Sequence, residues 1–173
     1  MKKINIFITS ILILGFSFIF HSIYDKFPSI ITSILFPVNE SVFEHNKIII
    51  LSYICTMIIY KIKYKNLNII YYMFISCILC ILLEMSIFSF IYFVILNTKE
   101  NFLIAILTYL FSIIISQIYF YKKVNSKYIP KFEYISIYAF IILVIICAYL
   151  SYRPIKMPLF YDYNERIYGI KND

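Results

Sequence analysis

The stretch YISIYAFIILVIICAYLSY, from Tyr134 to Tyr152, runs for 19 residues without a charged side chain. A helix of this length extends about 28 Å at roughly 1.5 Å per residue, close to the ~30 Å hydrocarbon core of a bilayer. A backbone in lipid must satisfy its hydrogen bonds internally, which only a helix or a closed barrel can do. The stretch therefore predicts a membrane-spanning helix.

Apolar runs of similar length recur along the chain. Of its 173 residues, 62% are hydrophobic and only 14% are charged, whereas soluble domains carry about 25% charged residues. The runs predict five membrane spans, at about residues 4–24, 41–61, 67–90, 102–121 and 134–152. We therefore expect an all-α integral membrane bundle of five transmembrane helices. Residues 1–173 form a single domain, with residues 153–173 as its tail.

A shorter apolar piece, SIITSILF, lies between the first two predicted spans and is bracketed by Pro28 and Pro37. It reaches only about 12 Å as a helix, so it predicts an interfacial or re-entrant turn rather than a span. The first span follows a basic start, Met1-Lys2-Lys3, as a signal peptide would. Its apolar run is too long for a signal peptide and no A-x-A site follows, so we expect an uncleaved span.

The net charge of +7 does not indicate nucleic-acid binding. The basic residues stand in short clusters beside apolar runs, as topology signals do, rather than on one face of a polar domain. The four cysteines lie inside apolar runs, which excludes a secreted disulfide framework. Two of them form the motif Cys77-Ile-Leu-Cys80. It has no basic neighbour to lower a thiol pKa, so a redox role is a minor alternative.

The distribution of lysines predicts the orientation. One side of a five-span protein receives nine lysines before the tail: Lys2, Lys3, Lys61, Lys63, Lys65, Lys122, Lys123, Lys127 and Lys131. The other side receives three: Lys26, Lys47 and Lys99. The positive-inside rule then places the N-terminus in the cytoplasm and the C-terminus outside it, in the plasma membrane. The basic residues of the tail oppose this assignment.

The stretch FPVNESVFEHNKIII, from Phe36 to Ile50, brings ionisable groups to the start of the second span. Lys47 is long enough to snorkel to the headgroups, but short carboxylates and an imidazole are not. His21 and Glu84 each lie 17 residues after the start of an outward-running span, about 25 Å from its inner end. We therefore expect one extracytoplasmic pocket at the membrane edge. Its candidate residues are His21, Asn39, Glu40, Glu44, His45, Glu84 and Asp162.

Helix capping is the alternative explanation of part of this cluster. Ser41-Val-Phe-Glu44 matches a capping box, with Ser41 as the N-cap of the second span. Asn39 could cap instead, with Glu40 favoured in the first turn. Capping explains one carboxylate and leaves the other and His45 without a role.

The motif PVNESVFEH, Pro37 to His45, resembles the signature of a family of uncharacterised, small, multi-pass bacterial membrane proteins, in which P-V-N-E-S-V-W-E-H is the recurrent core. His21 and the C-terminal PLFYDYNERIYGI, Pro158 to Ile170, match two further features of that family. Phe43 replaces its tryptophan, and Tyr163 its usual proline. The resemblance covers most of the chain and implies no reaction.

The fifth span is terminated by the prolines of the tail. The apolar residues of the tail predict that it folds back on the bundle, which would aim Asp162 at the pocket.

Two function classes follow. One is a non-catalytic membrane component that binds a lipid, an ion or a membrane-protein partner. The other is a metal-dependent hydrolase for a lipid-linked substrate, with zinc held by His21, Glu40 and His45. A small transporter is disfavoured because no inverted repeat is visible.

Overall fold

The computed structural model describes residues 5–65, 67–98 and 101–170. Its α-helices are α1 (Ile6–His21), α2 (Ile23–Lys26), α3 (Ile30–Leu35), α4 (His45–Lys63), α5 (Ile69–Phe90), α6 (Phe102–Lys123) and α7 (Pro130–Tyr152). A π-helical segment, Ile91–Ile95, extends α5, and a 3₁₀ turn, Pro158–Phe160, follows α7. Two short antiparallel strands, β1 (Tyr161–Asp162) and β2 (Ile167–Tyr168), pair in the tail, so the described residues are mostly helical.

The five long helices, α1, α4, α5, α6 and α7, run up and down through one bundle. Helix α4 lies at its centre and packs against α1, α5 and α7, while α6 closes the bundle against α1 and α5. The end of the bundle that carries the last residue of α1, the first of α4 and the residues after α7 is called here the tail end. Everything described below as a candidate site lies at this end.

Four stretches are long and apolar enough to cross a membrane: Ile6–Lys26, Ile69–Ile95, Phe102–Lys123 and Pro130–Tyr152. They indicate a membrane protein in contact with lipid. Helix α4, which corresponds to the second predicted span, is not in this set. It begins with His45-Asn46-Lys47 and ends with Lys61 and Lys63, and its central position lets polar groups find partners inside the protein rather than in lipid.

Local sequence signals explain several helix ends. The Asn5 side chain accepts a hydrogen bond from the Phe7 amide at the start of α1, and Asn101 does the same for Ile104 at the start of α6. A capping box is present at α3, where Ser29 and Thr32 exchange bonds. Pro130 begins α7, at the helical position that tolerates a missing amide hydrogen.

Small polar side chains join the helices inside the bundle. Ser17 of α1 bonds with Ser52 of α4 at 2.9 Å and with Tyr109 of α6 at 2.7 Å between hydroxyl oxygens. Gln117 of α6 donates from Nε2 to Ser76 of α5 at 3.2 Å. Such contacts are typical of helix packing in membranes.

The tail folds back onto residues 36–44, the loop that precedes α4. The Phe43 amide donates to the Leu159 carbonyl at 2.9 Å, and the Phe43 and Phe160 rings stack with centroids 4.3 Å apart. Gly169 has a φ of +65°, and a Cβ atom there would lie 2.4 Å from the Ser151 carbonyl oxygen. Only glycine fits this position without displacing the tail from α7.

Candidate functional site

Three predicted site residues converge at the tail end. His21 is the last residue of α1, His45 is the first of α4, and Glu40 lies in the loop before α4. Glu40 Oε2 lies 3.6 Å from His21 Nε2 and 3.4 Å from His45 Nε2. One ligand atom from each residue lies within 4.8 Å of the other two. We call these three residues the histidine–glutamate cluster.

A backbone contact fixes the orientation of the His45 ring. His45 Nδ1 lies 2.9 Å from the Ser41 carbonyl oxygen. Because a carbonyl oxygen only accepts, Nδ1 carries the hydrogen and donates it, and Nε2 is directed at Glu40. Metal-binding histidines commonly donate their second ring nitrogen to such an acceptor, which fixes the tautomer.

The two imidazoles also determine the charge of Glu40. Burial by itself would raise the pKa of this carboxyl. The close approach of His45 and the positive potential of the protonated imidazoles of His45 and His21 outweigh burial, so the pKa of Glu40 lies below its ordinary value. Glu40 is therefore an ionised carboxylate at neutral pH, and 39% of its side chain is exposed.

The tail positions Glu40 through its backbone. The Glu40 amide donates to Asp162 Oδ2 at 2.8 Å, and Asp162 Oδ1 accepts from the Asn164 and Glu165 amides at 2.8 and 3.0 Å. Asp162 is 1% exposed. It lies at the predicted level, but its carboxylate is used to hold the loop rather than to join the cluster.

Asn39 is a second link between loop and tail. Its Nδ2 donates to the Gly169 carbonyl at 2.8 Å, while its Oδ1 accepts from the Ser41 amide at 2.9 Å. The side chain is buried and both of its ends are bonded. Asn39 therefore shapes the loop that presents Glu40, and it does not cap α4.

Glu44 forms a buried ion pair with Lys47, with 2.9 Å between Oε2 and Nζ. Its Oε2 also accepts from the Val38 amide at 3.1 Å, and its Oε1 from Ser151 of α7 at 2.5 Å. The capping-box interpretation of Glu44 is wrong, because α4 begins at His45 and the Glu44 carboxylate makes no cap bond. One part of it is present, since the Glu44 amide donates to Ser41 Oγ at 3.4 Å.

Lys47 is also placed differently from expectation. Its Nζ donates to the carbonyl oxygens of Ser33 and Phe36 at 2.7 and 3.2 Å, at the end of α3. The side chain is 2% exposed, so the expectation that it snorkels to the headgroups is wrong. A cation at carbonyls left unpaired by a helix end satisfies them and is itself satisfied.

A cavity of about 660 Å³ adjoins the histidine–glutamate cluster. Helices α1, α4, α5 and α6 provide its walls, and all three cluster residues line it. Glu84 of α5 lines the same cavity, and its two carboxylate oxygens accept from Thr108 and Ser112 of α6 at 3.1 and 3.0 Å. The cavity therefore combines a polar end with apolar walls.

The comparisons with known proteins give one match. A family described as of unknown function, DUF6512, matches residues 1–170. The chain belongs to the DUF6512 family. The expected membership of an uncharacterised family is confirmed, and it assigns no activity. Neither the curated proteins nor the solved structures contain a match to the chain.

The residues that the sequence placed in one pocket thus form two groups in this DUF6512 protein. His21, Glu40, His45 and Glu84 face one cavity, whereas Glu44, Asn39 and Asp162 hold the loop and tail in place.

Sequence reasoning missed the Glu44–Lys47 pair and the hydroxyls that bind Glu84. The spacing of three residues between Glu44 and Lys47 was a usable signal for the first. The hydroxyls of α6 gave none, because small polar residues are common in any packed membrane helix.

Proposed function

We propose that this protein is a multi-pass membrane protein whose histidine–glutamate cluster binds a divalent metal ion, zinc by the chemistry of its donors. The cluster lies at the extracytoplasmic edge of the plasma membrane in this proposal, with α4 as a fifth span. The single observation that carries it is the disposition of two imidazole nitrogens around one carboxylate oxygen.

An unprotonated imidazole nitrogen and a carboxylate oxygen are both acceptors, so a cation or a proton must lie between them. With one hydrogen held on His45 Nδ1, release of the proton from Nε2 leaves a lone pair that faces an ionised carboxylate. The separations of 3.4 and 3.6 Å exceed the ~2.7–2.9 Å of a charge-assisted hydrogen bond. A metal ion that accepts both lone pairs satisfies the cluster better than a proton does.

The distances also suit the metal. Ligand atoms around a tetrahedral zinc with bonds of about 2.0–2.1 Å lie roughly 3.3 Å apart. Two separations in the cluster are 3.4 and 3.6 Å, and all three ligand atoms lie within 4.8 Å of one another. Small side-chain shifts therefore close the three donors around one ion.

A metal-dependent hydrolase is the second candidate, favoured by the cavity. Two histidines and one glutamate leave a coordination position open for water, as in catalytic zinc sites. Here the three donors line a cavity that also contains the carboxylate of Glu84, a group able to accept a proton from water. A lipid-linked substrate fits the apolar walls.

Metal analysis of the purified protein tests the proposal. Wild-type protein, loaded with zinc and freed of excess by gel filtration, should retain one equivalent. Glu40→Gln, His45→Ala and His21→Ala should each lose it. Asp25→Asn, which removes an exposed carboxylate on α2, serves as the matched control and should retain it. Zinc retained by all three variants, or absent from the wild type, would refute the metal site.

The proposed topology is tested separately, by cysteine labelling on intact cells. In a background without the four native cysteines, Lys26→Cys and Lys156→Cys should react with an impermeant reagent. Lys63→Cys and Asn125→Cys should be protected until the membrane is opened. Labelling of both Lys26→Cys and Lys63→Cys would mean that α4 does not cross. The reverse pattern would invert the orientation.

A further inference from the structure

We infer that the cavity binds a lipid with an uncharged, ester-bearing head group, such as a diacylglycerol, which enters from the bilayer between α1 and α6. The head group lies at the histidine–glutamate cluster and the acyl chains lie against the apolar walls. For the contact at the head group, this inference rests on the proposed metal site.

The walls of the cavity have the character of an acyl-chain site. Every wall helix contributes apolar side chains, among them Leu14 of α1, Ile49 of α4, Phe88 of α5 and Ile106 of α6. Its volume of about 660 Å³ lies within the ~300–1,000 Å³ range of sites that hold drug-sized molecules. The occupant is therefore mainly apolar, with one polar end.

The exposure of two phenylalanines shows the side from which such a molecule can enter. Phe18 of α1 and Phe102 of α6 line the cavity and are 50% and 73% exposed. Nearer the middle of the bundle, the bond between Ser17 and Tyr109 joins the same two helices. The opening lies between this bond and the tail end, on a face with exposed apolar side chains.

The charges of the lining residues select the head group. Two carboxylates, Glu40 and Glu84, line the cavity, and no lysine or arginine does so among the residues that the structure describes. With a divalent ion held by Glu40 and the two histidines, the described lining contains no lysine or arginine that could pair with a further anion. A phosphate head group would add uncompensated negative charge in a poorly hydrated site, which is costly, whereas an ester carbonyl would not.

Photocrosslinking measures this preference. Zinc-loaded protein in phosphatidylcholine nanodiscs is irradiated with a diazirine-bearing diacylglycerol or with the matching phosphatidic acid, and the labelled peptides are identified. We expect the diacylglycerol probe to label residues of α1 and α6 at the cavity at least tenfold more than the phosphatidic acid probe. Unlabelled diacylglycerol should compete. Equal labelling, or preference for phosphatidic acid, would overturn the inference.

Two variants test the cavity and the charge argument. Ala105→Trp fills the cavity and should reduce cavity labelling at least tenfold, whereas Ile142→Trp, on the exposed face of α7, should not change it. Glu84→Gln should raise labelling by the phosphatidic acid probe. Unchanged labelling of a monodisperse Ala105→Trp protein would place the lipid outside the cavity and refute the proposal.

The zinc content of each sample separates the two proposals. Zinc-bound protein without selective labelling refutes the lipid inference and leaves the metal site intact. Zinc-free protein that still labels selectively with diacylglycerol refutes the metal site and supports the cavity as a neutral-lipid site.

Discussion

Glu40 and Glu44 lie four residues apart in one loop, yet their surroundings are opposite. Glu44 is buried, and its two oxygens contact a lysine, a backbone amide and a serine hydroxyl. Glu40 is 39% exposed on the cavity, and its carboxylate faces two imidazole nitrogens that lie too far away for strong hydrogen bonds. One carboxylate is fully satisfied by the protein, and the other retains capacity for a ligand.

The two carboxylates give this polar loop two separate roles, one in stability and one in binding. A buried charge must be paired and hydrogen-bonded or the fold loses stability. Glu44 meets that requirement and joins the loop to α4 and α7. With the loop held in this way, Glu40 can remain incompletely paired beside the cavity. The predictions below test this division between structure and binding.

The largest effect is expected from breaking the buried pair. Lys47→Met leaves Glu44 charged and buried, and removing one partner of such a pair costs about 3–5 kcal/mol. We expect a large drop in the thermal unfolding midpoint in detergent. The double variant Lys47→Met/Glu44→Gln should recover part of it, because the uncompensated charge is gone. An unchanged midpoint for Lys47→Met would remove the distinction between the two carboxylates.

An intermediate effect is expected from Asp162→Asn. The Glu40 amide and two tail amides lose a charged acceptor, at a cost of about 1–3 kcal/mol. Because the loop that presents Glu40 loosens, zinc affinity should also fall, while the donors themselves are unchanged. Calorimetric titration with zinc measures this. Weakened stability with unaltered zinc affinity would show that Asp162 holds the tail but does not position Glu40.

The smallest effect on stability is expected from Glu40→Gln. The side chain is 39% exposed and makes no short bond that the fold requires, so the unfolding free energy should change by about 0.5 kcal/mol or less. Zinc retention should nevertheless be lost. A destabilisation as large as that of Lys47→Met would make Glu40 a structural residue and contradict its proposed role.

Much of the helical bundle can be predicted from the sequence, because a long apolar run without charge has few alternatives to a helix in lipid. Helix α4 is harder, since its polar first turn is compatible with a span only when neighbouring helices supply partners. The convergence of His21 and His45 follows from counting residues along antiparallel helices. The role of Glu44 does not, because Glu44 belongs both to an S-x-x-E capping pattern with Ser41 and to an E-x-x-K ion-pair spacing with Lys47.

The hydroxyl partners of Glu84 and Glu44 cannot be predicted from the sequence either. Thr108, Ser112 and Ser151 are ordinary small residues of membrane helices, and only the rotation of each helix in the bundle directs their hydroxyls at a carboxylate. That rotation depends on the packing of all the helices together and is not encoded in any one of them.

The long-range contacts of the loop have a consequence for the order of events during synthesis. Three residues of the loop have bonding partners that are synthesised much later. Ser151 follows Glu44 by 107 residues, Asp162 follows Glu40 by 122, and Gly169 follows Asn39 by 130. Lys47, by contrast, leaves the ribosome three residues after Glu44. We therefore expect the Glu44–Lys47 pair to be able to form before the later helices are made. The contact that positions the Glu40 backbone needs Asp162, so we expect the histidine–glutamate cluster to be completed only after the tail has been synthesised.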